Sequence, residues 1–224
     1  MIIVHHLEHS RSQRVLWLLE ELGLEYEVKL YKRDKKTSLA PPELKDVHPL
    51  GKSPVVEIDG VVVAETGPIL EYIIDTVGGG RMRPEQGAPE YLKYRYWLHY
   101  AEGSAFPPLL LKLITTRMAS APMPFFAKPI ARSLSKGVQD AFINPQLKLH
   151  FDFIESELAA SSWFAGEEIS AADVIMSFPL EAMNARGEKN EKRPYINAFL
   201  ERIHARPAYQ KALQRGGPYA ILGG

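Results

Sequence analysis

Leu50-Gly-Lys-Ser-Pro-Val-Val-Glu-Ile-Asp-Gly-Val-Val-Val-Ala-Glu-Thr66 decides the fold. Val55 to Ile58 and Val61 to Val63 are short β-branched runs separated only by Asp59-Gly60. That dipeptide accepts the positive φ angles of a two-residue turn, so the spacing predicts two antiparallel strands. Pro54 heads the first strand, where a missing N–H costs the ladder nothing. It reads either as an ordinary trans proline or as a cis proline that leaves the N–H and C=O of Ser53 facing an extended ligand. Glu65-Thr66 then opens a segment with Ile69, Leu70, Ile73 and Ile74 at helical spacing.

Working outward, Ile2 to Val4 reads as a buried strand. Val15, Leu18, Leu19 and Leu22 form one helical stripe that Gly23 stops. Tyr26, Val28 and Leu30 alternate with charged residues, the period of a half-buried strand. Strand, helix and strand in this order predict a right-handed parallel crossover. Lys32 to Lys36 reads as a solvated basic loop, with a basic rim for an anionic ligand as the alternative, and Pro41-Pro42 as the start of a short helix ending before His48-Pro49. The whole order, βαβ then ββα, fits a thioredoxin-like α/β layer over residues 1–78. The Gly- and Pro-rich stretch from Val77 to Pro89 reads as a linker, and the β signal disappears beyond it. Residues 89–224 read as all-helical. Tyr91, Tyr94, Leu98 and Ala101 begin a helix that Phe106-Pro107-Pro108 is expected to end or kink. Ile143, Leu147, Phe151, Ile154 and Leu158 mark another helix, and Ile196, Phe199, Leu200 and Ile203 a third, stopped near Pro207. The course between residues 115 and 135 does not follow from the pattern. Ser170-Ala-Ala-Asp173 is a capping box, with the serine oxygen expected to accept from the third helical N–H and the carboxylate from the serine N–H.

Composition narrows the chemistry. The 224 residues are 46% hydrophobic and 24% charged, with zero net charge. No overall field draws nucleic acid or an anionic membrane. No apolar run reaches the ~18 residues of a membrane span. The start lacks the pattern of a signal peptide, so a soluble cytoplasmic protein is expected. There are no cysteines. Disulfides, thiolate metal sites and a cysteine nucleophile are therefore excluded, and any sulfur chemistry needs a thiol brought by the ligand.

His6 to Arg14 lies between the first strand and the first helix. There a strand's carboxyl end faces a helix N-terminus, a natural anion site. Ser10 and Ser12 are the hydroxyls of this turn, and helix capping is the ordinary role of either. His6, Glu8 and His9 do not form a metal site, because alternation sends neighbours apart and no second ligand motif follows. No metal is expected.

Gly51-Lys-Ser-Pro-Val-Val56, the hairpin, and Glu65-Thr66 before an apolar helix together resemble the glutathione-binding half of the glutathione transferases. Gly166-x-x-x-Ser170-x-x-Asp173 resembles the buried capping element of their helical domain. The resemblance covers nearly the whole chain. His48-Pro-Leu-Gly-Lys-Ser-Pro54 is similar to the serine-type group of fungi and bacteria. It implies an N-terminal thioredoxin-like domain, residues 1–78, followed by an all-helical domain, residues 89–224, that contributes the electrophile pocket. Ser10, four residues before Arg14, matches the hydroxyl that donates to the glutathione sulfur in that group; Ser12 is the competing hydroxyl. Ser53 pairs through its backbone with the cysteinyl part, positioned by Pro54. Glu65 and Thr66 hold the γ-glutamyl end, and Lys52 meets the glycyl carboxylate. Many members carry a basic residue near Ala40, so Arg11 or the 32–36 loop is an alternative grip for that carboxylate. Tyr100 and Phe106 are weaker candidates for the electrophile pocket, and Glu102 for an approach to glutathione from a dimer partner.

The implied activity is conjugation of the glutathione thiolate to a hydrophobic electrophile, or reduction of a hydroperoxide, in a homodimer. A glutathione-dependent isomerase or dehalogenase, and a non-catalytic interaction module on the same fold, are the alternatives.

Overall fold

In a computed structural model that describes residues 1–184, 193–217 and 219–221, the N-terminal part is a four-stranded sheet with helices on both faces. Its elements are β1 (Ile2–Leu7), α1 (Gln13–Leu22), β2 (Glu27–Tyr31), α2 (Leu44–Val47), β3 (Val55–Ile58), β4 (Val61–Ala64) and α3 (Thr66–Thr76). The strand order is β2-β1-β3-β4. β1 runs parallel to β2, with Val4 beside Val28, and antiparallel to β3, with Val4 beside Val56. Ile58 faces Val61 across the hairpin. Asp59 (φ 49°) and Gly60 (φ 85°) both take left-handed conformations, so two residues suffice for the turn. This is the thioredoxin-like arrangement. The α1 stripe, with Val15, Leu18 and Leu19 inaccessible, packs against Ile69, Leu70, Ile73 and Ile74 of α3 in a common core. Gly23 (φ 63°) ends α1 as the Leu24 N–H bonds the Leu19 carbonyl at 3.0 Å. The Ser53–Pro54 peptide bond is cis.

The alternation expected of β2 holds only at its start. Tyr26 is buried and Val28 partly so, but Leu30 is 52% exposed. Cover on that side stops at Val28, while Tyr31 turns to the opposite face and joins Leu7 and Leu44 in a second small core under α2.

The remainder is helical: α4 (Pro89–Tyr100), α5 (Phe106–Ser120), α6 (Lys128–Val138), α7 (Asn144–Ala160), α8 (Ala171–Asn184), α9 (Pro194–His204) and α10 (Pro207–Gly216). Phe106-Pro107-Pro108, expected to end or kink the helix, instead begins α5. A π-turn, Ala101–Ala105, joins α4 to α5, and the Phe106 N–H reaches back five residues to the Ala101 carbonyl. The wider turn starts a new α-helical register in which both prolines occupy first-turn positions, where a missing N–H is tolerated. The same device precedes Pro145: a second π-turn, Gln139–Ile143, joins α6 to α7. α6 and α10 had no counterpart in the sequence reading. α6 turns Ile130, Leu134 and Val138 outward, and α10 packs through Tyr209, Ala212 and Gly216, too few apolar residues to print a stripe.

α8 is buried on nearly every side, through Ala172, Val174, Ile175, Met176 and Leu180. It also contains Pro179. Without an N–H, Pro179 cannot bond the carbonyl of Ile175 one turn earlier, and that buried acceptor needs another donor. Arg14 of α1 supplies it, Nη1 to Ile175 O at 2.8 Å. At the other end of α8, Asp173 Oδ2 accepts from the Ser170 N–H (2.8 Å) and Oδ1 from the Phe164 N–H (2.8 Å). Ser170 Oγ accepts from the Ala172 N–H at 3.3 Å; the Asp173 N–H, the third of the helix, bonds the Ser170 carbonyl instead. The capping box is therefore reciprocal but one residue tighter than expected.

Removing the Asp173 carboxylate strands two buried N–H groups. Asp173→Ala is expected to cost about 3 kcal/mol and Ser170→Ala about 1 kcal/mol in urea unfolding. Burial pushes the Asp173 carboxyl up to about 6 against its hydrogen bonds, from an unfolded value of 3.8. A raised folded value means its contribution to stability falls as pH rises from 3.8 to about 6. Asp173→Asn is expected to remove that slope, so the wild-type advantage over the variant shrinks across this interval.

Candidate functional site

The turn between β1 and α1 carries a chain of side-chain hydrogen bonds. His9 (φ 51°) turns the backbone, and its Nδ1 accepts from the Ala220 N–H at 2.8 Å. Ser10 follows, its Oγ 2.7 Å from Ser12 Oγ, and the Ser12 N–H donates to Ser10 Oγ at 3.2 Å. Ser12 Oγ lies 2.7 Å from His6 Nδ1. Ser12 stands at the N-cap position of α1, but its side chain makes no capping bond. It is fully inaccessible and committed to the interior, whereas Ser10 reaches the wall of a cleft.

Arg14 is 1% exposed and ties three elements together. Besides Ile175 O, its guanidinium donates to Thr66 Oγ1 at the start of α3 (3.1 Å) and to Glu102 Oε1 in the first π-turn (2.6 Å). Glu102 Oε2 accepts from Arg11 Nη1 at 2.8 Å. Burial alone would raise the Glu102 carboxyl, but Arg14 and Arg11 together hold it below the usual carboxylate range. Burial presses the Arg14 guanidinium the other way and Glu102 opposes it. The candidate Glu102 is thus engaged within its own chain.

A cleft of about 450 Å³ opens between this turn, the Lys52–Ser53 segment and α5. It gathers Ser10, Arg11, Lys52, Ser53 and Phe106 from the sequence candidates. Ser53 Oγ donates to His5 O (2.9 Å) and accepts from the Leu7 N–H (3.2 Å), which pins the segment to β1. Its own backbone N–H and C=O make no hydrogen bond among the described residues. Pro54, Glu65 and Thr66 lie outside the lining, as do Ser12 and Glu102. Thr66 is buried against Arg14, and Glu65 (φ 71°) is an exposed carboxylate at the N-terminus of α3. Tyr100 is a correction: its ring is stacked on Tyr96 and set edge-on against Trp97, and its hydroxyl is 2.6 Å from His150 Nδ1, in the aromatic interior away from the cleft. Phe178 of α8 takes the place opposite Phe106, ring centres 5.4 Å apart.

Sequence reasoning missed Arg117 as a cleft residue and offered Arg33 only as an undistinguished member of the 32–36 loop. Arg33 belongs to the loop read as solvated, yet it is half-buried. It donates to the carbonyls of Glu8 (3.1 Å), His9 (3.3 Å) and Ser38 (2.9 Å), holding the β1–α1 turn against the loop after β2. The charge run was the available signal, and it could not tell which member turned inward. Arg117 comes from α5, in the region whose course was not legible. With Arg11, Arg33, Lys52 and Arg117 the cleft presents four cations, and no carboxylate lines it among the described residues. A site of this sign and with a hydroxyl at its wall suits a small polyanion. No group of three His, Asp or Glu side chains converges among the described residues, and no described helix is long and apolar enough to cross a membrane.

Comparison with known proteins gives a consistent picture. A family model described as the N-terminal domain of glutathione S-transferase matches residues 1–75, and one described as the C-terminal domain matches residues 133–207. Glutathione S-transferase 1 of Saccharomyces cerevisiae is 34% identical over 223 residues, covering 96% of this chain and 95% of the relative. Glutathione S-transferase 3 of Schizosaccharomyces pombe is 35% identical over 217 residues, covering 96% and 88%. A solved glutathione S-transferase from Actinobacillus pleuropneumoniae superposes with a TM-score of 0.82 at 34% identity, covering 99% of this chain and 95% of that one.

The ion-pair network makes a stability claim that does not depend on the ligand. Glu102→Gln leaves Arg14 buried without its counter-charge, and is expected to cost about 2 kcal/mol, less than a fully buried pair because Glu102 keeps some contact with water. Thermal or urea unfolding reads this directly; a loss within error of zero would mean that Ile175 and Thr66 alone satisfy the guanidinium.

Proposed function

Since this chain belongs to the glutathione S-transferase family, we propose that the cleft holds glutathione with its sulfur at Ser10 and its carboxylates among the surrounding cations. The chain is a glutathione transferase. Its chemistry is the transfer of a thiolate sulfur to an electrophilic small molecule, and the protein's task is to stabilise that thiolate. A free thiol with pKa ~8.5 is only a few per cent ionised at neutral pH. Lowering that value by ~2 units requires about 2.7 kcal/mol in favour of the anion. A hydrogen bond to a charged acceptor contributes roughly 1.5–3 kcal/mol, and a helix N-terminus roughly 0.3–1 kcal/mol. Ser10 and the start of α1 are enough, and no nucleophilic side chain is needed.

The observation that carries this reading is the pairing of a Ser10 hydroxyl at the wall with four cations and, among the described residues, no carboxylate in the lining. Ser53, with its backbone groups unpaired beside the cleft, is suited to the cysteinyl peptide of the ligand. Lys52, Arg11, Arg33 and Arg117 are the candidate grips for the glycyl carboxylate, which answers the departure at Ala40 with cations from other elements. Glu65 and the α3 N-terminus face the γ-glutamyl end in this reading. Thr66 supports them from behind, its oxygen engaged by Arg14. Leu39, Phe106, Leu113 and Phe178 give the cleft its apolar side, and an apolar electrophile fits there.

Ser10→Ala is expected to keep glutathione affinity within a few-fold but to lose the ultraviolet absorbance of the bound thiolate. At slightly acid pH, turnover with a chromogenic electrophile falls about 50-fold, the loss that a ~2-unit rise in thiol pKa produces. If Ser12→Ala gives this result and Ser10→Ala does not, the hydroxyl is misassigned. If millimolar glutathione does not bind at all, the cleft serves another purpose.

A further inference from the structure

One glycyl carboxylate does not need four cations. Arg11 is already paired: its Nη1 donates to Glu102, and its guanidinium lies over the Phe106 ring, 5.2 Å from the ring centre. Lys52 directly precedes Ser53, so among the four grips it stands nearest to the peptide that Ser53 holds in the glutathione reading. The γ-glutamyl carboxylate goes to the N-terminus of α3. Both carboxylates of glutathione are then provided for, and Arg33 and Arg117 are left over.

These two line the same cleft from different elements, Arg33 from the loop after β2 and Arg117 from α5. The Arg33 bonds to the carbonyls of Glu8, Ser38 and His9 use one hydrogen each on Nε, Nη1 and Nη2, which leaves a second hydrogen on both terminal nitrogens. Burial lowers the Arg33 guanidinium, Glu8 opposes this, and Arg117 lowers it further, so the two like charges act on each other. Glu8 lies outside the lining, and its Oε1 accepts from the Arg33 backbone N–H at 2.8 Å. Arg117 is exposed and makes no hydrogen bond or ion pair among the described residues. Two neighbouring guanidiniums with no carboxylate beside them in the lining favour an anion that both can hold.

The wall leading to them is apolar. Phe106, Leu113 and Arg117 are spaced i, i+7 and i+11 on α5 and so share one stripe of the helix. Arg11 over Phe106 marks the Ser10 end of this stripe, and Phe178 and Leu39 add to its apolar side. Arg117 stands about three turns further along. We propose that the electrophile taken by this cleft is itself an organic acid, its apolar body along Phe106 and Leu113 and its carboxylate held by Arg117 and the spare hydrogens of Arg33. This deepens the glutathione reading above and rests on it. Arg117 is then a specificity-determining residue: an anionic electrophile relieves the repulsion between the two guanidiniums, and a neutral one of the same shape leaves it in place.

A matched pair of electrophiles tests this on the full chain at saturating glutathione: a chlorodinitrobenzoate with chlorine para to the carboxylate, and the corresponding benzamide. In both, the thiolate sulfur bonds to the ring carbon that carries chlorine, and chloride leaves with the bonding electron pair. Only the charge at the opposite end differs. With each kcat/KM divided by the uncatalysed rate constant, the wild type is expected to favour the benzoate about fivefold, the upper range for an ion pair open to water. Added salt is expected to shrink that preference. Arg117→Gln is expected to bring the ratio to about one, and Arg117→Glu to invert it. A wild-type ratio near one, or a ratio that Arg117→Gln does not change, overturns the assignment. If Arg117→Gln instead raises the KM for glutathione and slows both electrophiles equally, Arg117 grips the glycyl carboxylate; the acidic-electrophile inference falls and the glutathione reading stands. Absence of glutathione binding overturns both.

Discussion

One guanidinium with almost no access to water holds the two parts of this protein in register. Arg14 leaves α1 and reaches α3 through Thr66, the first π-turn through Glu102 and α8 through Ile175. A buried cation is costly unless it is paired and its donors are used, so the four elements must arrive together or not at all. The site inherits this rigidity. Ser10 stands one turn before Arg14, Arg11 shares its carboxylate, and Phe178 lies under its guanidinium, 5.1 Å from ring centre to Cζ. The cleft is thus bounded by residues whose positions the same ion pair sets.

The chemistry of the cleft is arranged in two depths. At the surface, cations from four separate segments line the cleft. Beneath them, a file of small polar groups runs from Ser10 through Ser12 to His6. Gly216 packs beside its inner end for a steric reason: a Cβ there would come within 2.7 Å of Leu16 and 3.2 Å of His6. The chain has no cysteine, so in a glutathione transferase of this sequence the reactive sulfur belongs to the ligand.

Much of the fold was legible because its signals are local. Asp59-Gly60 demanded its turn, Gly23 its left-handed stop, and Ser170 with Asp173 their cap. The α1 and α3 stripes were dense enough to be read without partners. What escaped notice depends on distant contacts. Prolines 107 and 108 look like terminators until a π-turn ahead of them changes the register. α10 is held by a tyrosine, an alanine and a glycine at helical spacing, two of them too small to mark an apolar stripe. The site divides in the same way. Ser10, Arg11, Lys52, Ser53 and Phe106 sit in or beside recognisable motifs, and they meet in the cleft. Arg33, Arg117 and Phe178 come from a charge run, an unreadable connection and a core helix, and only the tertiary packing turns them to one place. Tyr100 had the right helix but belongs to the aromatic interior. His6 was seen as a histidine near a strand end, and its contact with Ser12 Oγ shows only in the folded turn.

Pro179 shows how such long-range dependence is built in. The ring deprives α8 of one of its own rungs and leaves the Ile175 oxygen searching for a donor outside the helix. An alanine there would mend the rung and improve the helix taken by itself. It would also set a new amide in competition with α1 for the same oxygen. The self-sufficiency of one segment and the unity of the molecule are opposed at this position, and the imperfection in the helix is what makes its neighbour indispensable.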